Sequence, residues 1–203
     1  MIDRGVEQCK EPGTTSPSLL DRVRGDDQAA WVRLVDLYGR LVYRWCLRAG
    51  LKGEDAADIG QEVFIAVARN IQAFHNDQQG DSFRGWLYTI TRNKIRDRAN
   101  TIAEVGEERN GPGQLDQIPA ESIPERDASS VWDDRRYLIH RAIELVRGEF
   151  EAKTWAAFWR TTVDGQSAED VAAEVGISRE AVYIAKSRVR RRLLAEFGTL
   201  IDL

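Results

Sequence analysis

Cysteine and histidine are both scarce. Only Cys9 and Cys46 occur in 203 residues, too few for a disulfide framework or a cysteine-based metal centre. The two histidines, His75 and His140, lie far apart in the chain. Together these shortages leave no nucleophile–base pair and no clustered metal ligands, so no catalytic residue, metal site or cofactor is expected. Five prolines exclude a Pro-rich or collagen-like architecture. The longest apolar run, Val63 to Ala68, falls far short of the ~20 residues a membrane-spanning helix needs. The first 18 residues carry acids and no apolar stretch of the kind a secretory signal has, so a cytoplasmic location without membrane insertion is expected. Convincing apolar/polar alternation is missing too, which argues against β-strands.

What is present is a soluble globular composition, with 42% hydrophobic and 31% charged residues. The formal net charge is −4. Residues 101–130 hold 7 acidic against 2 basic residues and account for that deficit. The same segment contains Gly106, Gly111, Pro112, Gly113, Pro119 and Pro124 and has no sustained apolar period, which describes an extended connector. The expected organisation is a flexible tail (1–17), a helical domain (18–100), an acidic linker (101–130) and a second helical domain (131–198).

In the first domain, Trp31, Leu34, Val35, Tyr38, Leu41, Val42 and Trp45 recur at helical spacing, with Asp26 or Asp27 available as the cap. A second helix begins near Glu54 and Asp55, its acids favoured by the helix dipole. Its inner face is Ile59, Val63, Val67, Ile71 and Phe74. A polar loop, His75 to Asp81, leads to Ser82, which caps a third helix with Phe83, Trp86, Leu87, Ile90 and Ile95 inside. In the second domain Tyr137, Ile139, Ile143 and Val146 line one helix, and Trp155, Phe158, Trp159 and Val163 the next.

Ser167 to Leu193 then reads as a helix-turn-helix. Two short helices crossing closely need small residues at the crossing (Ala172, Ala181), a tight turn (Gly176) and an apolar plug after it (Ile177). Ser167 and Ser178 stand at the two cap positions. The second helix presents Ser178, Arg179, Glu180, Tyr183, Lys186, Ser187, Arg188 and Arg190, groups able to meet base edges and phosphates in a major groove.

Two further stretches carry a family likeness. Asp55-Ala56-Ala57-Asp58-Ile59-Gly60-Gln61-Glu62-Val63-Phe64 resembles the polymerase-binding helix of bacterial RNA polymerase sigma factors. Phe83-Arg84-Gly85-Trp86-Leu87-Tyr88-Thr89-Ile90-Thr91-Arg92-Asn93 resembles the helix that follows it. With a C-terminal helix-turn-helix and a short linker, the layout is similar to the two-domain extracytoplasmic-function type, over about residues 18–198.

The resemblance implies an all-α fold and a protein that guides polymerase core to promoters. It implies that Asp58, Gln61, Glu62 and Phe64 dock on the coiled-coil of the largest catalytic subunit. It further implies that His75, Asn76, Arg84, Arg92, Asn93 and Arg96 meet the melted promoter strand, while the helix-turn-helix reads duplex DNA. Opening a duplex costs a few kcal/mol per unstacked base, recovered by pocketing the exposed base and gripping the backbone with cations. An anti-sigma protein joins the candidate partners, since family members are commonly held inactive by one. Two departures stand out. The window Glu180 to Ala185 replaces the family's usual Gly-Thr-Val-Lys-Ser-Arg, with Lys186-Ser187-Arg188 three residues later, and Phe150 to Trp155 replaces a Leu-Pro opening. Gly60 inside the docking helix costs about 1 kcal/mol relative to Ala and reads as close packing or simple tolerance. The competing reading is a stand-alone helix-turn-helix regulator with an N-terminal sensing or dimerising domain, which would bind duplex without polymerase.

Overall fold

The computed structural model describes residues 18–74, 82–107, 128–198 and 200. The described residues form eight α-helices and two short 3-10 turns, Ile71–Ala73 and Arg147–Glu149, with no strand among them. They are α1 (Leu19–Arg24), α2 (Gln28–Arg48), α3 (Gly53–Asn70), α4 (Phe83–Glu107), α5 (Ala128–Val146), α6 (Ala152–Thr162), α7 (Ala168–Val175) and α8 (Arg179–Phe197). The first seven residues assigned to the linker, 101–107, thus continue α4.

The starts of the helices follow from their caps. Ser18 and Asp21 form a reciprocal capping box on α1, with Ser18 Oγ accepting from Asp21 N at 3.3 Å. Asp27, not Asp26, caps α2, accepting from the backbone of Ala29 and Ala30 at 2.9 and 3.1 Å. Those bonds, with Arg22 close by, hold the Asp27 carboxyl below its ordinary range. Asp26 takes the left-handed conformation (φ 57°) at the corner between α1 and α2. Ser82 caps α4 through Gly85 N at 3.1 Å.

α2 is the spine of the molecule. It buries Ala30, Leu34, Leu37, Tyr38, Leu41, Val42, Trp45 and Cys46. That set covers two faces rather than one stripe, because α3 and α4 pack on one side of α2 and α5 on the other. Leu37 and Cys46 therefore join the core, whereas Trp31 and Val35, expected inside, are only half-buried. α4 buries Phe83, Leu87, Thr91 and Ile95 at four-residue spacing, with Trp86 and Ile90 at its margin. Thr91 tolerates burial because its hydroxyl donates to Leu87 O at 2.8 Å.

α5 runs antiparallel to α2. Trp45 and Arg48 meet Asp134, Arg44 stands over the Tyr137 ring, Asp36 O accepts from Arg141, and Arg33 donates to Leu145 O. Its buried line is Asp134, Leu138, Ala142, Ile143 and Val146. The sequence placed Tyr137 and Ile139 there. Both sit half-buried, because α5 is phased by its contact with α2 rather than by the helix-turn-helix. One core consequently runs from Leu19 to Leu200 through both halves of the chain. The helix-turn-helix keeps a small core of its own, Ala157, Val171, Val182 and Ala185, with Ala168, Ala172, Val175 and Ile177 against it. In α6 Phe158 is buried and Trp155 and Trp159 half-buried, whereas Val163, the C-cap just past the helix, is exposed.

Burial pushes the Cys46 thiol up to about 12. It stays protonated and shielded from pH 7 to 9 in the folded chain. In a Cys9→Ser protein, reaction with a disulfide thiol reagent at pH 8 is expected to be slow in buffer and fast in guanidinium. Rapid reaction in buffer would contradict this placement of α2.

Candidate functional site

Three surfaces carry the residues singled out by sequence. The first lies between α2 and α3. Helical spacing puts Trp31, Val35, Gly39 and Tyr43 along one edge of α2, facing Ala57, Gly60, Gln61, Phe64, Ile65 and Ala68 of α3. Between them is an open, mostly apolar groove of about 570 Å³. Ile65, 51% exposed, stands within it, and Val32, next to Trp31 in the chain, is 50% exposed. Phe64 meets Trp31 edge-on at 6.4 Å, so it is at once core margin and groove wall. A Cβ on Gly60 would meet nothing within 4 Å, which removes close packing as the reason for that glycine: it leaves the groove open.

Asp58 and Gln61 are exposed, and Gln61 lines the groove. Glu62 turns the other way, toward α4, where its carboxylate lies 3.3 Å from Lys94 Nζ. Gln61 and Glu62 therefore face different neighbours, and Asp58 stands exposed. Val32, Val35, Tyr43 and Ile65 were not anticipated as functional. Their signal in the sequence is apolar side chains lying off the core stripe of an amphipathic helix.

The second surface is the outer face of α4. The basic run Arg92, Lys94, Arg96, Arg98 does not act as one patch. Lys94 pairs with Glu62, and Arg98 with Asp55 at 2.8 Å. Arg92, Asn93 and Arg96 remain exposed together, with Arg96 donating to Asn93 at 3.2 Å. Arg84 points elsewhere, its guanidinium donating to Val131 O at the start of α5 at 2.8 Å. His75 and Asn76 lie outside the described residues.

The third surface is the helix-turn-helix of α7 and α8. Ser167 caps α7 through Asp170 N, and its hydroxyl donates to the Asp170 carboxylate at 2.7 Å. Gly176 ends α7 in the left-handed conformation (φ 68°), and Ser178 caps α8 through Ala181 N at 3.1 Å. Val182, Ala185 and Val189 anchor α8, which turns Glu180, Tyr183, Ile184, Ser187 and Arg191 outward. Arg179, Lys186 and Arg190 flank that stripe on one side and Arg188 on the other, by the 100° step of the helix. Ile184 (58% exposed) and Arg191 sit on the outward stripe and were not singled out by sequence.

The Arg179 guanidinium lies over the Tyr183 ring at 5.8 Å, and hydrogen bonding and charge attraction to Tyr183 raise its pKa further. Glu180 is held below the ordinary carboxylate range, first by its own backbone N–H and then by the Ser178 hydroxyl, so an anion stands in the first turn of α8. The stripe thus offers a carboxylate, an aromatic, an apolar methyl group and cations: the chemical variety that base edges and phosphates require.

Residues 34–102 match the family profile described as Sigma-70 region 2. The chain is 30% identical over 191 residues to the ECF RNA polymerase sigma factor SigE of Mycolicibacterium smegmatis, covering 92% of this chain and 67% of that protein. It is 28% identical over 188 residues to the RNA polymerase sigma factor NccH of Alcaligenes xylosoxydans xylosoxydans, covering 89% and 96%. Among solved structures, CnrH in complex with the cytosolic domain of CnrY is similar at 22% identity and a TM-score of 0.36, covering 87% of this chain and 93% of that one.

Nothing lies within 4 Å of a Cβ placed on Gly176, so substitution there tests backbone strain alone. Gly176→Ala is expected to destabilise the protein by about 1–2 kcal/mol, and Gly176→Asn by less, in thermal unfolding. Equal stability of Ala and Gly would contradict a left-handed turn.

Proposed function

The chain belongs to the extracytoplasmic-function (ECF) RNA polymerase sigma factors, and from that membership we propose how its surfaces share the work. Its activity is promoter-specific initiation of transcription by RNA polymerase, and it is not itself an enzyme. The α2/α3 groove receives the polymerase core, through the coiled-coil of the largest catalytic subunit. An open, mostly apolar groove between two helices suits a helix laid into it. Gln61 on the wall and exposed Asp58 one turn earlier offer polar contacts, and Phe64 and Ile65 apolar ones. Glu62 contributes by holding α4 through Lys94. The observation that carries this reading is the groove itself, with Ile65 left half exposed in its wall beside Ala57, Gly60 and Ala68.

The outer face of α4 takes the melted promoter strand. Arg92 and Arg96 are free of carboxylate partners among the described residues and flank Asn93, so cations and an amide face the same way. Stacking and backbone contacts of this kind recover the unstacking energy of an opened duplex. The α8 stripe reads duplex DNA in the major groove, with Glu180 as an acceptor for cytosine and Ile184 as an apolar contact for a thymine methyl. The segment from Glu107 to Ala128 tethers the two readers.

The experiment is reconstitution with bacterial core polymerase. Gln61→Ala with Ile65→Asp is expected to lower core affinity about tenfold or more, equivalent to at least about 1.4 kcal/mol, while helical content by circular dichroism is unchanged. Unaltered affinity would move docking off this groove. Arg92→Ala with Arg96→Ala is expected to leave core binding intact and to reduce open-complex formation, read by permanganate reactivity of unpaired thymines. A gel shift with the protein alone separates the stand-alone regulator reading: only weak, salt-sensitive duplex binding is expected.

A further inference from the structure

We propose that Tyr183 is a positioning residue: its ring holds Arg179 so that the guanidinium meets a guanine edge, giving α8 a requirement for guanine at one position of its duplex element. This rests on the reading of α8 as the duplex reader. The two residues stand one turn apart on α8, at the i and i+4 places where helical side chains meet. Arg179, the first residue of the helix, lies on the flank of the outward stripe, whereas Tyr183 lies on the stripe itself. The guanidinium carbon of Arg179 sits over the Tyr183 ring, 5.8 Å from its centre. The contact therefore draws the cation from the flank toward the middle of the reading face. Tyr183 is 53% exposed and takes no part in either core, so its ring is not there for packing.

The pairing orients Arg179 without spending it. In the same half of the chain Arg160 is closed onto Glu174, and Arg192 onto Glu149 and Glu196. Arg179 makes no such ion pair among the described residues; Glu169 and Glu180 attract it from farther off. Tyr183 offers a ring face and a hydroxyl, which leaves most of the five guanidinium N–H donors uncommitted. Guanine O6 and N7 accept two of them side by side, provided that the planar fork arrives in one orientation. A free arginine loses rotamer freedom on docking, and a ring that holds it beforehand lowers that loss.

The first turn of α8 is ill suited to the other anionic target of arginine, a backbone phosphate. Glu180 follows directly, its carboxylate held by its own backbone N–H and the Ser178 hydroxyl. Negative charge there repels a phosphate and leaves an acceptor for cytosine. The N-terminal residues of the second helix of a helix-turn-helix are also the ones that reach base edges. Lys186, Arg188 and Arg190, exposed farther along, suit phosphates, where charge matters more than orientation.

The test uses holoenzyme assembled from bacterial core and this chain, with a promoter library randomised in the upstream duplex element. Wild type is expected to select guanine at one position and to lose binding when the N7 of that guanine is methylated. Arg179→Ala and Arg179→Lys are expected to lose that preference about tenfold or more, while Arg179→Lys, a point charge without the fork, keeps overall affinity. Tyr183→Ala is expected to weaken the preference about threefold or more at the same base pair, and the double variant to be no worse there than Arg179→Ala alone. Tyr183→Phe keeps the ring and should fall between wild type and Tyr183→Ala. All these side chains are exposed, so helical content should not change. Selection of no guanine, or uniform weakening across sequences in Arg179→Ala, as a phosphate contact gives, would overturn the proposal. So would additive losses in the double variant, a preference changed at a different base pair in Tyr183→Ala, or a Tyr183→Phe protein no better than Tyr183→Ala. Ile184→Ala with Ser187→Ala is the control. If it alters base preference and the Arg179 and Tyr183 variants do not, this proposal alone fails. If no variant alters it, α8 is not the duplex reader and both readings fall.

Discussion

Burial of α2 on two sides is the constraint from which the other positions follow. A 21-residue helix is about 31 Å long, enough to carry a different neighbour on each flank. One flank, through Leu34, Tyr38 and Val42, belongs to the core shared with α3 and α4. Another, from Arg33 to Arg48, lies along α5. The remaining strip, Trp31 to Tyr43 at four-residue intervals, is left to border the groove. The groove, the core and the seam between the halves are therefore set by the rotation of a single helix.

The electrostatics divide along similar lines. α3 carries acids at Asp55 and Glu62 that reach α4 and neutralise Lys94 and Arg98. What appears in the sequence as four evenly spaced cations becomes two that brace the helix pair and two that face outward. Such exposed pairs contribute only a fraction of a kcal/mol each. Their consequence is the choice of which cations remain available to an outside anion.

How much could be read beforehand varied with the range of the interaction. Caps and turns are local, and Asp27, Ser82, Ser167, Gly176 and Ser178 all sit where the residue types place them. The inner faces of α3 and α4 were legible because their buried residues recur in one stripe, Ile59, Val63 and Val67 in α3 and Phe83, Leu87 and Ile95 in α4. The phase of α5 was not, since apolar residues occur around much of its circumference and only contact with α2 selects Leu138 and Ala142 over Tyr137 and Ile139. Asp134 was likewise invisible: a buried aspartate declares itself only through Trp45 and Arg48, more than 80 residues away in sequence. The groove fell between these cases. Asp58, Gln61 and Phe64 came from a family likeness, but its apolar lining needed both helices in place.

α8 has one further implication. Its first half turns Glu180, Ile184 and Ser187 to the outside, and its last half sinks Leu193, Glu196 and Phe197 into the body of the protein. The two halves are one rigid rod with a common phase. Adding or deleting a single residue near Lys186 would swing the outer end by about 100° relative to its anchor, aiming wholly different side chains at whatever it touches. New preferences can arise on this rod by exchanging side chains in place, whereas changes of length in its middle would uncouple grip from footing.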